Sequence, residues 1–144
     1  MTLVKTRRFA REIVLQGLYA AEMAEASPDK IIEDLMSRHT VDTEFREFME
    51  RLFNISLNQK EWIRTQIDER LENWDITRVA IVDLLVLQMM IAEMVFLEDI
   101  PPKVSITEGV EIARKYSTDE SSSFVNGILD SVYHSLEELS VPGE

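Results

Sequence analysis

Lys5, Arg7, Arg8 and Arg11 are the first charged side chains of the chain, and no acid precedes Glu12. On a helix Arg7 and Arg11 stand four apart and Arg8 and Arg11 three apart, so their guanidinium groups share a face. Such a face suits one kind of chemistry. Guanidinium forks meet phosphate oxygens two at a time, so the cluster could dock a phosphate backbone. The surroundings make it stand out. The chain has a formal charge of −12; four of its 15 Lys and Arg are spent before the first acid, and the remaining 11 face 27 Asp and Glu. With a pI near 4.6, wholesale coating of nucleic acid or of an anionic membrane is excluded, and any contact with a polyanion must be local. Cations in a first turn also oppose the helix dipole, a small penalty that favours a functional reason for them. The competing reading is a solubilising basic tail.

Other chemistry is thin. His39 and His134 are far apart with no ligand spacing around either, and both read as surface residues. No Gly-rich phosphate loop, HExxH or GxSxG is present. Paired carboxylates such as Glu98–Asp99, Asp119–Glu120 and Glu137–Glu138 read as solvated faces in an acidic chain. There is no Cys, which excludes disulfides, thiol catalysis and zinc–thiolate sites and fits a reducing, cytoplasmic compartment. No catalytic constellation emerges, so the expectation is a protein that is not an enzyme and carries no cofactor and no metal.

The elements that must position these residues all read as helix. A single all-α domain over residues 1–144 is expected, with 1–6 and 140–144 frayed. Helix one spans about Arg7 to Met23 behind a Thr6 cap, with Phe9, Ile13, Val14, Leu18 and Ala21 inward. Ser27 and Pro28 open helix two. Helix three starts near Asp42 or Thr43, and Asn58 with Glu61 opens helix four. "ENWDIT" is a turn, followed by a short helical piece near Thr77. Helix five, about residues 82–97, lies in "VAIVDLLVLQMMIAEMVFL". That run approaches transmembrane length, but Asp83, Gln88 and Glu93 interrupt it, so it reads as the apolar central helix of a bundle of about seven helices. "EDIPPKV" is a loop; Ser105 and Glu108 form a capping box for helix six. Helix seven covers about Ser121 to Glu138. Inside it, "FVNGILD" places Asn-Gly mid-helix, where Gly costs about 1 kcal/mol relative to Ala. Either a neighbouring helix packs closely over Gly127, with Asn126 bonded across the bundle, or a ligand approaches that surface.

Three stretches carry a resemblance. "IPPKVSITEGVEIARKYSTDESSSFVNGILD", residues 100–130, resembles the NusB family of bacterial transcription antitermination factors, with "FVNG" its most specific part. "RRFAREIVLQGLYA" is similar to the family's opening helix, and the stretch from "NWD" through "VDLLVLQMMIAEM" to its middle. Residues 22–70 match only in length and helicity. The resemblance implies an all-helical protein that binds single-stranded boxA-like RNA together with the ribosomal protein NusE, within an antitermination complex on RNA polymerase that supports ribosomal RNA transcription. It places Arg7, Arg8 and Arg11, with Lys5 beside them, in the family's basic motif. Tyr19 falls on its late helix-one tyrosine, Asp83 on an acidic position opening helix five, and Glu120 and Phe124 on RNA-facing positions. Gln88 stands where Arg is frequent, and Gly109 where Ala is usual; these departures bear on affinity. A homodimer is compatible with the same reading. Two alternatives stay open: the RNA-recognition domain of a ribosomal RNA methyltransferase, or a helical oligomer that does not bind RNA.

Overall fold

A computed structural model describes residues 2–24, 26–72 and 75–143. Among them are seven α-helices: α1 (Arg7–Met23), α2 (Pro28–Ser37), α3 (Thr43–Asn58), α4 (Lys60–Asp68), α5 (Ile81–Phe96), α6 (Pro102–Tyr116) and α7 (Asp119–His134). Single 3₁₀ turns at Ile76–Arg78 and Leu136–Glu138 follow α4 and α7. The all-α expectation holds. Asn73 and Trp74 of the expected "ENWDIT" turn lie outside the described residues.

The local signals explain most helix starts. Thr6 Oγ1 accepts the Phe9 N–H at 3.0 Å, and Ser27 Oγ that of Lys30 at 3.3 Å with Pro28 opening α2. Each hydroxyl satisfies one of the donors that a helix start leaves without a partner. Helix α5 is buried all the way round from Asp83 to Met94. It forms the axis on which α3, α6 and α7 pack, while α1 crosses both α3 and α5. One continuous apolar core results, with Leu85, Met89 and Met90 at its centre. The helix is too short to cross a membrane, and no other helix among the described residues is long and apolar enough.

Four expectations need correction. Helix α6 starts at Pro102, not after Ser105. Proline tolerates the first helical turn because its missing N–H would have no partner there, so "PKV" joins the helix and the Ser105–Glu108 pair lies inside it, where no cap is needed. Asn58 ends α3, and Gln59 links it to α4 without a side-chain cap. Helix α7 begins two residues early, at Asp119, because Thr118 Oγ1 accepts the Ser121 N–H at 3.0 Å. Gly127 has no atom within 4 Å of where a Cβ would sit, and Asn126 beside it is exposed. Close packing falls on Gly109 instead, where a Cβ would lie 2.8 Å from Leu129 Cδ1 and 3.0 Å from Met90 Cγ.

One element had no periodic signal. Thr2–Leu3 (β1) pairs in parallel with His39–Thr40 (β2), and the Val4 N–H donates to Thr40 O at 3.0 Å. Val4 is buried, so the chain enters α1 from a fixed point, with Lys5 exposed beside it. His39 is half-buried, its ring edge-on to Phe9 at 5.7 Å.

Candidate nucleic-acid interface

The basic face divides at Arg11. Its guanidinium is 2% exposed and forks onto Glu93 of α5, with Nε to Oε2 at 2.6 Å and Nη2 to Oε1 at 3.0 Å. Ser105 Oγ of α6 donates to the same Glu93 Oε1 at 2.8 Å, and Arg11 Nη1 reaches Glu108 Oε1 at 3.2 Å. Arg11 therefore cannot serve as a phosphate contact as expected: it is the counter-charge of a buried acid. The physical reason is plain. A carboxylate inside an apolar helix requires a partner, since an unpaired buried charge costs several kcal/mol. Two residues read as a helix cap, Ser105 and Glu108, complete this network. The signal that could have found it is Glu93 itself, an acid inside an apolar run, which requires a cation from another helix.

Arg7 and Arg8 remain nearer the surface, though both are engaged. Arg7 lies over the Phe48 ring at 4.8 Å. Arg8, half-exposed, bonds Glu108 through Nη2 at 2.5 Å. That hydrogen bond, and the charge behind it, hold the guanidinium of Arg8 above its ordinary pKa. Helices α1 and α6 thus meet through long polar side chains. Farther along the seam, Glu12 Oε1 accepts from Lys115 Nζ and from Tyr116 Oη at 2.7 Å. Burial and the bond to Glu12 raise the Tyr116 phenol above its ordinary value. The bond to Glu12 likewise raises Lys115.

Tyr19 lies on the exposed side of α1, 44% exposed, at the mouth of a pocket of about 220 Å³ between α1, α5 and α6. Leu15, Val82 and Leu85 form its apolar wall, and Tyr116, also exposed, flanks it. Asp83 follows Val82 but is buried, its Oδ2 accepting from Ser121 Oγ at 2.8 Å while Oδ1 has no partner. That bond ties the start of α5 to the start of α7, where Glu120 is exposed and Phe124 is half-buried against the core. Tyr19, Asp83, Glu120 and Phe124 therefore gather toward one end of the bundle. Arg8 lies eleven residues before Tyr19 on the same helix, about 16 Å along its axis. The basic and aromatic groups form two stations on one surface, not a single cluster.

Gln88 lies elsewhere. It is fully buried, donating to Ser56 O at 2.8 Å and accepting from Arg64 Nε at 3.0 Å. Arg64, from α4, supplies a guanidinium there and also pairs with Glu22 at 2.7 Å. A side chain with no surface cannot alter affinity by direct contact. Among the described residues, no group of three His, Cys, Asp or Glu is placed to hold a metal ion.

Comparison with known proteins agrees with this architecture. A transcription antitermination protein NusB from Chloroherpeton thalassium is 39% identical over 140 residues, which cover 96% of this chain and 66% of that protein. The T. maritima NusB structure superposes with a TM-score of 0.83 at 31% identity, covering 98% of this chain and 96% of that one. A crystal structure of the antitermination factors NusB and NusE in complex with double-stranded RNA shares the fold at a TM-score of 0.81 and 23% identity, over 90% of this chain and 96% of that one. The model of the NusB family matches residues 8–134, so the seven-helix chain built around α5 and locked by Arg11 and Glu93 belongs to the NusB family.

Proposed function

We propose that this protein is a transcription antitermination factor that binds RNA, acting without catalysis and with NusE as its partner. The names of its relatives and the composition of the NusB–NusE–RNA complex support this reading. We further propose a single-stranded, boxA-like target. The observation that carries it is the apolar pocket flanked by exposed Tyr19 and Tyr116. Unpaired bases can stack on aromatic faces, whereas a duplex keeps its bases stacked on each other. Lys5, Arg7 and Arg8 would then hold the phosphates, with Tyr19 and Phe124 against bases and Glu120 accepting from base amino groups; Asp83, expected to contact RNA, is buried and instead holds Ser121 at the start of α7. The acidic remainder of the surface suits a basic ribosomal protein. In the cell such a pair would join the antitermination complex on RNA polymerase in the cytoplasm and support ribosomal RNA transcription.

The test is binding of a boxA-like single strand, a scrambled strand and a duplex, each with and without NusE. Tightest binding of the boxA-like strand, strengthened by NusE, is expected. Tyr19→Ala should weaken it by roughly 1–3 kcal/mol, the worth of one stacked base. Equal binding to all three RNAs, or binding indifferent to Tyr19, would overturn the single-strand assignment.

A further inference from the structure

We propose that Glu108 is an internal competitor for phosphate at Arg8, setting how tightly and how salt-dependently this surface holds RNA; the proposal rests on the RNA-binding reading above. The charges around Glu108 carry it. Arg11 is already neutralised by its two-point bond to Glu93. The charge of Glu108 is therefore left to Arg8, whose Nε and Nη2 both face its carboxylate, at 3.2 Å and 2.5 Å to Oε2. A carboxylate offers this fork the same pair of oxygens that a phosphate would.

Glu108 is also held in place. Its side chain is only 14% exposed, and Arg11 Nη1 bonds its other oxygen at 3.2 Å from the buried side. Arg8 is 49% exposed, so the fork can swing while the acid stays. An open groove of about 580 Å³ runs past this pair, bordered by Thr6, Arg7, Ile100, Pro101 and Val104. A phosphate entering it finds Arg8 occupied and a fixed negative charge beside it. To bind there it must displace the carboxylate from Arg8. Weak sites are rejected, and a backbone anchored elsewhere on the surface gets through.

Glu108→Gln tests this with little disturbance, because the amide oxygen still accepts from Arg11 and Glu93 still neutralises it. The probe is a labelled single-stranded RNA followed by fluorescence anisotropy through a salt titration, with a thermal melt of every variant. Glu108→Gln should bind about two- to fivefold more tightly at low salt, the range of an exposed ion pair. Its salt slope should steepen by about 0.7, one further phosphate on a single strand. In an Arg8→Ala background the same change should do nothing. If Glu108→Gln binds no more tightly while Arg8→Ala still weakens binding, the competitor role is overturned and the RNA-binding reading stands. If a tighter Glu108→Gln persists without Arg8, general charge repulsion replaces the proposal. Absence of RNA binding in every variant, with melts unchanged, removes the RNA-binding reading and this inference with it.

Discussion

At the scale of single residues, Arg8 and Arg11 have the same side chain and different work. Arg11 is enclosed and answers the charge of Glu93; Arg8 stands at the surface and is only borrowed by Glu108. The two should separate in unfolding experiments. Arg11→Ala leaves Glu93 buried without its counter-charge and should lower stability by about 3–5 kcal/mol. Arg8→Ala breaks a half-exposed pair and should cost less than about 1 kcal/mol. Urea titration of both variants measures the difference. A small loss for Arg11→Ala would mean that solvent reaches Glu93. The glycines divide in the same manner. Gly127→Ala should raise stability by about 1 kcal/mol, since helix propensity improves and the added methyl meets nothing within 4 Å. Gly109→Leu should lower it by about 1–3 kcal/mol, because Leu129 and Met90 already fill the space. Melting temperatures of the two variants should move in opposite directions.

Among the elements, the start of α7 matters most to the candidate interface. Thr118 caps it, Ser121 reaches Asp83 across to α5, and Glu120 lies between them. Thr118→Ala removes the acceptor for the Ser121 N–H and should cost about 1 kcal/mol. The first turn should fray, so hydrogen exchange at residues 121–123 should quicken while amides in the middle of α5 keep their protection. Uniform quickening through both helices would show that the cap supports the whole bundle, not one end. Helix α6 is constrained differently. Its N-terminal half is tied to α1 and α5 by Ser105 and Glu108, and its C-terminal half by Lys115 and Tyr116 to Glu12. That polar seam is what leaves a groove between α1 and α6 where an apolar seam would have closed it.

For the whole molecule the dominant quantity is charge. An excess of acids repels itself in the compact state, and the folded protein answers with pairs that bind acids to scattered bases. Glu22 is one of these. Burial resists its ionisation, but hydrogen bonds and charge from Arg64 and Lys60 outweigh that, and its pKa is lowered. A carboxylate lowered on folding contributes stability above its unfolded value, about 4.3 for Glu, and that contribution is lost as pH falls through the folded value. Urea unfolding should therefore show a decline in stability below about pH 4. Glu22→Gln should be less stable at neutral pH and show a shallower decline on acidification; an unchanged acid limb would mean that other carboxylates set it.

Helix periodicity, two caps and one interrupted apolar run were enough to read an all-α bundle around α5, because these signals depend on neighbours within a turn or two. Sequence motifs likewise led to the right family. The roles of Arg11, Ser105 and Glu108 were not legible in the same way. Local spacing placed the arginine in a basic strip and the other two in a capping box, and both assignments are locally sensible. Only the tertiary structure brings Arg11 to Glu93 across 82 positions of sequence and Ser105 to the same carboxylate. A buried charge selects its partner by distance in space, and no periodicity along the chain records that distance. The same holds for the glycines: helix propensity marks Gly127 and Gly109 equally, and which of them has a neighbour is settled by how α6 crosses α5 and α7.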